Sequence, residues 1–145
     1  MRSNANFVDP YLNYRFRIEI DGIQKGGFSE CSGLSSKIDV VQYREGGDQM
    51  SVRKLRGQTN YPDITLKWGL TDSTELYEWH TKAIKGDVER KSCSIIIVGD
   101  DNSEKMRWNL KDAWPNSWTG PSLNAKGSDI AIEQMTLTYE SMERG

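Results

Sequence analysis

Alternation of apolar and charged side chains with a period of two is the feature that most constrains how this chain folds. In the first such segment, apolar side chains alternate with charged ones, namely Tyr14, Phe16, Ile18 and Ile20 with Arg15, Arg17 and Glu19. Alternation of this kind places the apolar groups on one face of a β-strand and the charges on the other. The same pattern recurs at 64–68 and 106–110. The sequence therefore predicts several strands that each bury one side only.

Other segments indicate how these strands are connected and layered. Residues 93–98 are apolar on both faces, which is typical of a strand covered above and below, so a second layer is required. Asp21 and Gly22 favour a two-residue hairpin turn after the first strand. Residues 37–44 are rich in β-branched and aromatic types, and two glycines then break the pattern. We predict a long strand that ends in a flexible loop.

The last strand candidate, residues 130–142, changes phase along its length. Its apolar residues first occupy even positions, at Ile130 and Ile132, and then odd positions, at Met135, Leu137 and Tyr139. A β-bulge near Glu133 and Gln134 would produce this slip, and we predict that bulge. A strand that passes between two sheets is the alternative.

One segment has helical periodicity. Leu76, Trp79 and Ala83 lie at helical spacing, Asp72 with Glu75 forms a variant capping box, and a glycine at 86 can end the helix. We predict one helix over 73–85, lying on a sheet because so short an amphipathic helix is marginal in water. With about seven strands, the predicted fold class is mainly β: two packed antiparallel sheets in a sandwich or barrel, with one short α-helix outside.

Length and charge narrow the class of protein. The 145 residues fit a single domain, 1–145, and the 36% hydrophobic and 28% charged fractions are typical of soluble globular proteins. Nineteen basic and twenty-one acidic residues leave a net charge of −2, so specific nucleic-acid binding is not expected. The sequence contains neither the apolar run of a secretory signal nor a stretch long enough to span a membrane. We expect synthesis in the cytoplasm without a signal peptide.

The sequence contains no pattern typical of a reaction centre. The only histidine, His80, is predicted to be a packing or surface residue because no HExxH motif and no nucleophile elbow accompany it. Cys31 and Cys93 lack CxxC spacing and are predicted to be buried free thiols. The acidic segment 100–102 fits a turn better than a calcium loop. We therefore predict a protein that is not an enzyme and that holds no cofactor and no metal.

Five tryptophans leave a sugar-binding surface open as an alternative. Trp68, Trp79 and Trp108 lie on the apolar face of their predicted strand or helix and are therefore predicted to belong to the core. Trp114 and Trp118 fall in an apparently irregular segment, where they could cover a sheet or anchor a partner. A β-sandwich carbohydrate-binding module that uses these two rings is therefore a second hypothesis.

A set of short segments, distributed in a fixed order along nearly the whole chain, points to a family. These segments are FSECSGL at 28–34, YREGG at 43–47, KLRGQ at 54–58, ITLKWG at 64–69, LYEW at 76–79, Trp108, Trp114-Pro115, Gly120-Pro121 and IAIEQM at 130–135. In this order and spacing they resemble the tail-tube protein family of contractile phage tails and extracellular contractile injection systems, which is related to the type VI secretion tube protein. Arg56 stands where the family usually has a proline before the glycine, which leaves the local loop conformation open.

The resemblance implies a structural subunit of an inner tube. Six copies would form a ring, and stacked rings would form a hollow tube that conducts cargo or DNA. The implied partners are further copies of the chain, the surrounding sheath protein, and baseplate and terminator proteins, in a phage tail or an extracellular particle. Exposed sheet edges fit this expectation, because bare edges pair with another chain. A tube-initiating or baseplate adaptor ring of the same fold is the alternative.

The loop after the long strand is our candidate for contact within or between rings. It comprises Glu45, Gly46, Gly47, Asp48, Gln49 and Met50. A polar, glycine-containing loop can become ordered once a partner offsets its entropy cost. A mobile hairpin loop without function is the alternative. We also expect residues 1–13 to form a flexible arm that becomes ordered on assembly.

Overall fold

The computed structural model describes residues 15–25, 27–44, 46, 52–70, 74–127 and 129–145. These residues form ten strands and one helix, in the order β1 Phe16–Ile20, β2 Ile23–Lys25, β3 Phe28–Ser32, β4 Lys37–Tyr43, β5 Arg53–Asn60, β6 Ile64–Gly69, α1 Glu75–Ile84, β7 Lys91–Val98, β8 Glu104–Thr119, β9 Ile132–Thr138 and β10 Ser141–Arg144. All strand pairings among them are antiparallel. The mainly β fold with a single helix is confirmed, with more strands than predicted.

The long strand β8 belongs to both layers of the fold. Its first half pairs with β7 and β10, and its second half pairs with β9. The first layer has the order β2-β1-β7-β8, and the second has the order β8-β9-β6-β3. Asp112 has a φ of 53° at the point where β8 leaves one layer for the other. The two predicted sheets are therefore the two layers of one continuous eight-stranded sheet, which folds over at β8.

The hydrophobic core lies between the two layers. It takes Ile18, Ile20, Cys93, Ile95 and Leu110 from the first layer, and Ile64, Leu66, Trp68, Met135 and Leu137 from the second. Burial of one such aliphatic side chain contributes about 1.5–3 kcal/mol to folding. The alternating pattern in β1 and β6 predicted their inward residues correctly, since each of these strands buries one face.

Strand β7 is covered on both of its faces, as its continuous apolar sequence predicted. Ile95 points into the core, whereas Ile96 lies on the opposite face and is nevertheless fully buried. Ile96 stands opposite Arg17 on β1 and Arg107 on β8. The aliphatic stems of long basic side chains can cover apolar groups while their charged ends remain in water. The outer face of the first layer is thus charged at its surface and apolar beneath.

The bulge predicted near Glu133 and Gln134 is wrong. Strand β9 pairs with β6 without any register shift along its whole length. A register shift lies instead in the partner strand β8, between Pro115 and Ser117. Proline has no N–H to donate to the ladder, so an irregularity at this position is expected.

The phase change at the end of the chain has a different origin. Met135 and Leu137 face the core, whereas Ile132 lies on the outer face of the second layer. After Thr138 the chain leaves that layer and returns as β10, which pairs with the first half of β8. The alternative expectation, a chain that passes between two sheets, is closer to the structure.

The single helix is confirmed and lies over the second half of β8. It begins after Thr74 and ends near Gly86, which has a φ of 95°. The proposed capping residue Asp72 lies outside the described residues. Trp79 is buried in the core and donates a hydrogen bond of 2.6 Å from its indole Nε1 to the carbonyl of Glu89. The helix therefore owes its position to packing, as its short apolar stripe required.

Two glycines with positive φ provide a test of this backbone. Gly33 has a φ of 97°, and a Cβ atom added there would lie 2.5 Å from the carbonyl oxygen of Asp63. Gly22 has a φ of 77° in open space. We expect Gly22→Ala to cost about 1–2 kcal/mol of unfolding free energy, the penalty of the left-handed conformation alone. Gly33→Ala adds a backbone clash and should cost more, as measured by urea denaturation.

Equal losses of stability in the two glycine variants would contradict the close approach at Gly33. A change in the denaturation slope, rather than in the midpoint alone, would indicate an altered unfolded state instead of a strained native state.

Candidate assembly surface

The hairpin formed by β4 and β5 stands outside both layers. Its two strands pair only with each other and form a separate two-stranded sheet. Every described residue in these strands is exposed except Gly57, which is half-buried. An isolated two-stranded hairpin is at best marginally stable in water. A hairpin in this situation is expected to gain stability from a partner.

The exposed side chains of this hairpin are unusually apolar. Ile38, Val40, Val41, Tyr43, Val52 and Leu55 are each 40–61% exposed. Clustered apolar groups on a protein surface generally mark an interaction site. None of these side chains belongs to the hydrophobic core or packs against it among the described residues. The apolar character of the hairpin therefore has no explanation within the single chain.

The register assigns the hairpin side chains to two faces. Val41 stands opposite Leu55, and Tyr43 stands opposite Arg53. Directly opposed residues share one face of a sheet, so these four residues form what we call the apolar face. Neighbouring positions alternate to the other side, and we call that side the basic face, comprising Val40, Gln42, Lys54 and Arg56. The two faces thus differ in chemistry.

A bulge shapes the hairpin near its base. Ile38 pairs with Thr59 and Val40 pairs with Arg56, so Asp39 stands opposite two residues of β5. One of these is Gly57, where an added Cβ would lie 2.8 Å from the carbonyl oxygen of Asp39. A glycine is therefore required here for the close approach of two backbones.

The segment at 54–58, in which this chain departs from the family pattern, is a strand rather than a loop. Arg56 lies within β5, and its Nη2 donates a hydrogen bond of 3.1 Å to Thr59 Oγ1. An arginine fits this position because a strand residue on the basic face has room for a long side chain. The local conformation that the sequence left open is thus a bulged strand.

The predicted contact loop connects β4 and β5 in the chain. Gly46 is exposed in a turn between β4 and β5. The remaining residues of that loop, Glu45, Gly47, Asp48, Gln49 and Met50, lie outside the described residues, as does the predicted arm 1–13. The strand predicted at 37–44, before the loop, is confirmed as β4, whereas β5 after the loop was missed, and the apolar side chains of the two strands were not recognised as a candidate surface. The adjacent residues Val40 and Val41 make both faces of β4 apolar. This pair was the signal in the sequence that could have identified the surface.

The remaining candidate chemical groups have structural partners. His80 Nδ1 lies 3.2 Å from the carbonyl oxygen of Pro115, where the helix meets β8. Asp101 accepts hydrogen bonds from the backbone N–H and the hydroxyl of Ser103, which lower the pKa of its carboxyl group. In the described part of the chain, His, Cys, Asp and Glu side chains do not gather into a group that could hold a metal ion. Nor is any helix there long and apolar enough to cross a membrane.

The tryptophans of the second half of β8 cover the core. Both Trp114 and Trp118 are half-buried and pack against it. Trp118 donates a hydrogen bond of 2.9 Å from Nε1 to the buried carboxylate of Glu133, and its ring meets that of Tyr77 edge-on at 4.9 Å. Covering a sheet, one of the two roles considered for these rings, is therefore observed.

Comparison with known proteins identifies relatives over nearly the whole chain. The family described as "T4-like virus tail tube protein gp19" matches residues 12–143. A chain in the sheath-tube complex of an extracellular contractile injection system (PVC), in its extended state, is 31% identical with a TM-score of 0.85. That match covers 94% of this chain and 91% of the other. No curated protein sequence matches the chain.

Further structures share the fold. A chain in the anti-feeding prophage cap is 30% identical, with a TM-score of 0.87 and coverage of 99% of this chain and 95% of that one. Hcp1 from Flavobacterium johnsoniae is 18% identical, with a TM-score of 0.56 and coverage of 90% and 94%. At that identity the similarity concerns the fold alone.

The two thiols should be unreactive in the folded chain. Both cysteines are free thiols; Cys93 is buried, as predicted, whereas Cys31 is half-buried. Removal from water raises the pKa of Cys31 to about 11 and that of Cys93 to about 12, above an ordinary value of 9.0. Only the thiolate is nucleophilic, so at pH 8 we expect alkylation by iodoacetamide to be about 100-fold slower for Cys31 and about 1,000-fold slower for Cys93 than for an exposed thiol. The rate should rise with pH until the thiols ionise, and both should react fully in guanidinium chloride.

Variants Cys31→Ser and Cys93→Ser assign each labelling rate to one thiol by mass spectrometry. Rapid alkylation of either cysteine at pH 8 without denaturant would contradict its burial.

Proposed function

Since the chain belongs to the T4-like virus tail tube protein family, we propose that it is an inner-tube subunit whose copies form hexameric rings that stack into a hollow tube. The tube would conduct cargo or DNA. The observation that carries this proposal for this chain is the hairpin β4–β5, with apolar side chains that the monomer leaves exposed. Burial of those side chains between copies supplies a driving force for assembly.

The arrangement of the hairpin fits assembly by head-to-tail contacts. A projecting hairpin docks on a different surface of the neighbouring copy, and such contacts either close into rings or continue as filaments. A tube of stacked rings uses both kinds of contact, one within the ring and one between rings. The hairpin has two chemically distinct faces, so it can take part in more than one contact.

We assign the contact between rings to the tip of the hairpin. The residues concerned are Glu45, Gly46, Gly47, Asp48, Gln49 and Met50. Gly46, the one described residue of this loop, is exposed in a turn between β4 and β5. Ordering of this polar loop against the next ring would be offset by the contacts it makes there.

The proposed partners follow from the relatives. Their structures are a sheath-tube complex, a sheath/tube terminator and a tube-terminating cap. We propose that this chain likewise contacts sheath, terminator and baseplate proteins in a phage tail or an extracellular particle. Its role would be structural rather than enzymatic, since burial holds both thiols protonated and the single histidine lies against a backbone carbonyl.

An adaptor ring of the same fold is the second candidate. A chain from the anti-feeding prophage baseplate shares the fold at 23% identity with a TM-score of 0.80. Such a paralogue would form one ring and stop, whereas a tube subunit polymerises into rods of many rings.

Deletion of residues 46–49 should separate folding from stacking. We expect the variant to keep its secondary structure and melting temperature within a few degrees, because no described residue of β4 or β5 belongs to the hydrophobic core, and to form no tubes. Negative-stain electron microscopy and circular dichroism measure the two properties. Single rings without rods would be the expected particles.

The matched control replaces residues 46–49 with four glycine and serine residues and so preserves the length of the loop. If this control also fails to stack, the side chains of the loop are required for stacking. If it stacks, the length of the loop is what stacking requires. Normal tubes formed by the deletion variant would reject the assignment of the tip.

A further inference from the structure

The outward side of the second layer carries two rows of polar side chains. Residues that stand directly opposite each other in neighbouring strands share one face of a sheet. The pairings of β3, β6, β9 and the second half of β8 thus align hydroxyl side chains across the layer, namely Ser32, Thr65, Thr136 and Ser117. The next row on the same side consists of Glu30, Lys67, Gln134 and Thr119. We call these two rows the hydroxyl face.

The hydroxyl face has no net charge. Its charged members, Glu30 and Lys67, form an ion pair with an N–O distance of 3.2 Å. None of the residues in the two rows belongs to the hydrophobic core or packs against it. The exposed Ile132 lies in the adjoining row, opposite Gly69. A molecule that touches the two rows therefore meets neither an excess charge nor an apolar patch.

The outward side of the first layer has a different chemistry. Arg17 and Arg107 lie in one row across β1, β7 and β8, and Glu19 and Glu143 lie in the next row. Arg107 Nη1 is 3.2 Å from Glu19 Oε1. The two outward sides of the fold thus differ, because one is built from charged side chains and the other mainly from hydroxyl and amide groups.

Ring symmetry increases the effect of any charge that faces a channel. Each such side chain recurs in every copy, so one unpaired charge becomes a ring of charges of one sign. A ring of this kind raises the local concentration of oppositely charged molecules by about 10-fold to 1,000-fold and repels molecules of its own sign. A lining with one carboxylate for every ammonium group has no such preference.

We propose that the hydroxyl face lines the channel of the tube, and that the channel therefore does not select polypeptide cargo by the sign of its charge. This inference rests on the proposed function and adds a property of the cargo. Polypeptides carry both signs of charge in varying proportion, so a lining of zero net charge lets all of them pass. Duplex DNA fits this lining less well, because the Lys67 ammonium group of every copy offers a contact to its phosphates.

Enclosure of labelled peptides during tube assembly tests the proposal. Two unstructured peptides are used, matched in length and opposite in net charge. Protease then digests the peptide that remains outside the tubes, and the protected label is measured. Unmodified tubes should protect the two peptides to within about twofold of each other, since the lining has no net field. Nuclease-protected duplex DNA without protected peptide would overturn polypeptide as the cargo class.

Neutralising either partner of the ion pair should create a preference. Lys67→Gln leaves a ring of Glu30 carboxylates, so tubes of this variant should protect the positive peptide at least about 10-fold more than the negative one. Glu30→Gln leaves a ring of Lys67 ammonium groups and should give the opposite preference. A general loss of stability would not change sign between the two variants.

Matched controls remove the same charges from the first layer. Lys105→Gln removes the ammonium group that lies 3.9 Å from Asp101, and Glu143→Gln removes an exposed carboxylate. Both control tubes should protect the two peptides equally. A preference that appears in these controls and not in the Lys67 and Glu30 variants would overturn the proposal, because the first layer would then face the channel.

Ser117 offers a second pair of variants that leaves the ion pair intact. It is exposed within the hydroxyl row, so Ser117→Glu and Ser117→Lys should favour the positive and the negative peptide, respectively. Negative-stain electron microscopy verifies that each variant forms tubes. Tubes of these variants that protect both peptides equally would overturn the hydroxyl face as the lining while the tube assignment stands. An unmodified chain that forms no tubes would overturn the proposed function itself.

Discussion

The turn of β8 from one layer to the other is the constraint on which the rest of the structure depends. Its first half fixes the register of β7, and its second half fixes that of β9. The helix lies on the same strand, through His80 at Pro115 and Tyr77 at Trp118. One strand thus sets the position of both layers, the core between them and the helix. The outer surfaces available to other molecules follow from that arrangement.

The distribution of apolar side chains separates what stabilises the monomer from what remains for assembly. The core between the layers is closed, with Ile64, Ile96 and Met135 fully buried. Among the described residues, the exposed apolar side chains of the hairpin do not belong to this core. Since a two-stranded hairpin is marginal by itself, the assembled state should stabilise the hairpin as well as join the copies. Under the proposed function, assembly would therefore be coupled to folding in the hairpin and independent of it in the core.

Sequence patterns predicted those elements in which burial occurs within one chain. Strands β1 and β6 alternate cleanly because one face meets the core, and the helix has a stripe for the same reason. The second half of β8 was missed because Pro115 and the adjacent register shift interrupt the alternation. Ile130 and Ile132 were misinterpreted as core residues out of phase, because an exposed apolar residue has the same sequence signature as a buried one.

Charge determines which of many similar surfaces an apolar hairpin can select. Chains of this fold with identities as low as 18% keep the architecture, so the architecture alone does not specify which copies join. Apolar contacts are non-directional, whereas opposed charges penalise a wrong partner or a wrong register. Residues 37–60 hold five basic and three acidic residues, whereas the rest of the chain has fourteen basic and eighteen acidic ones. Under the proposed function, this division of charge would favour contact between the hairpin and the body of another copy over contact between two hairpins.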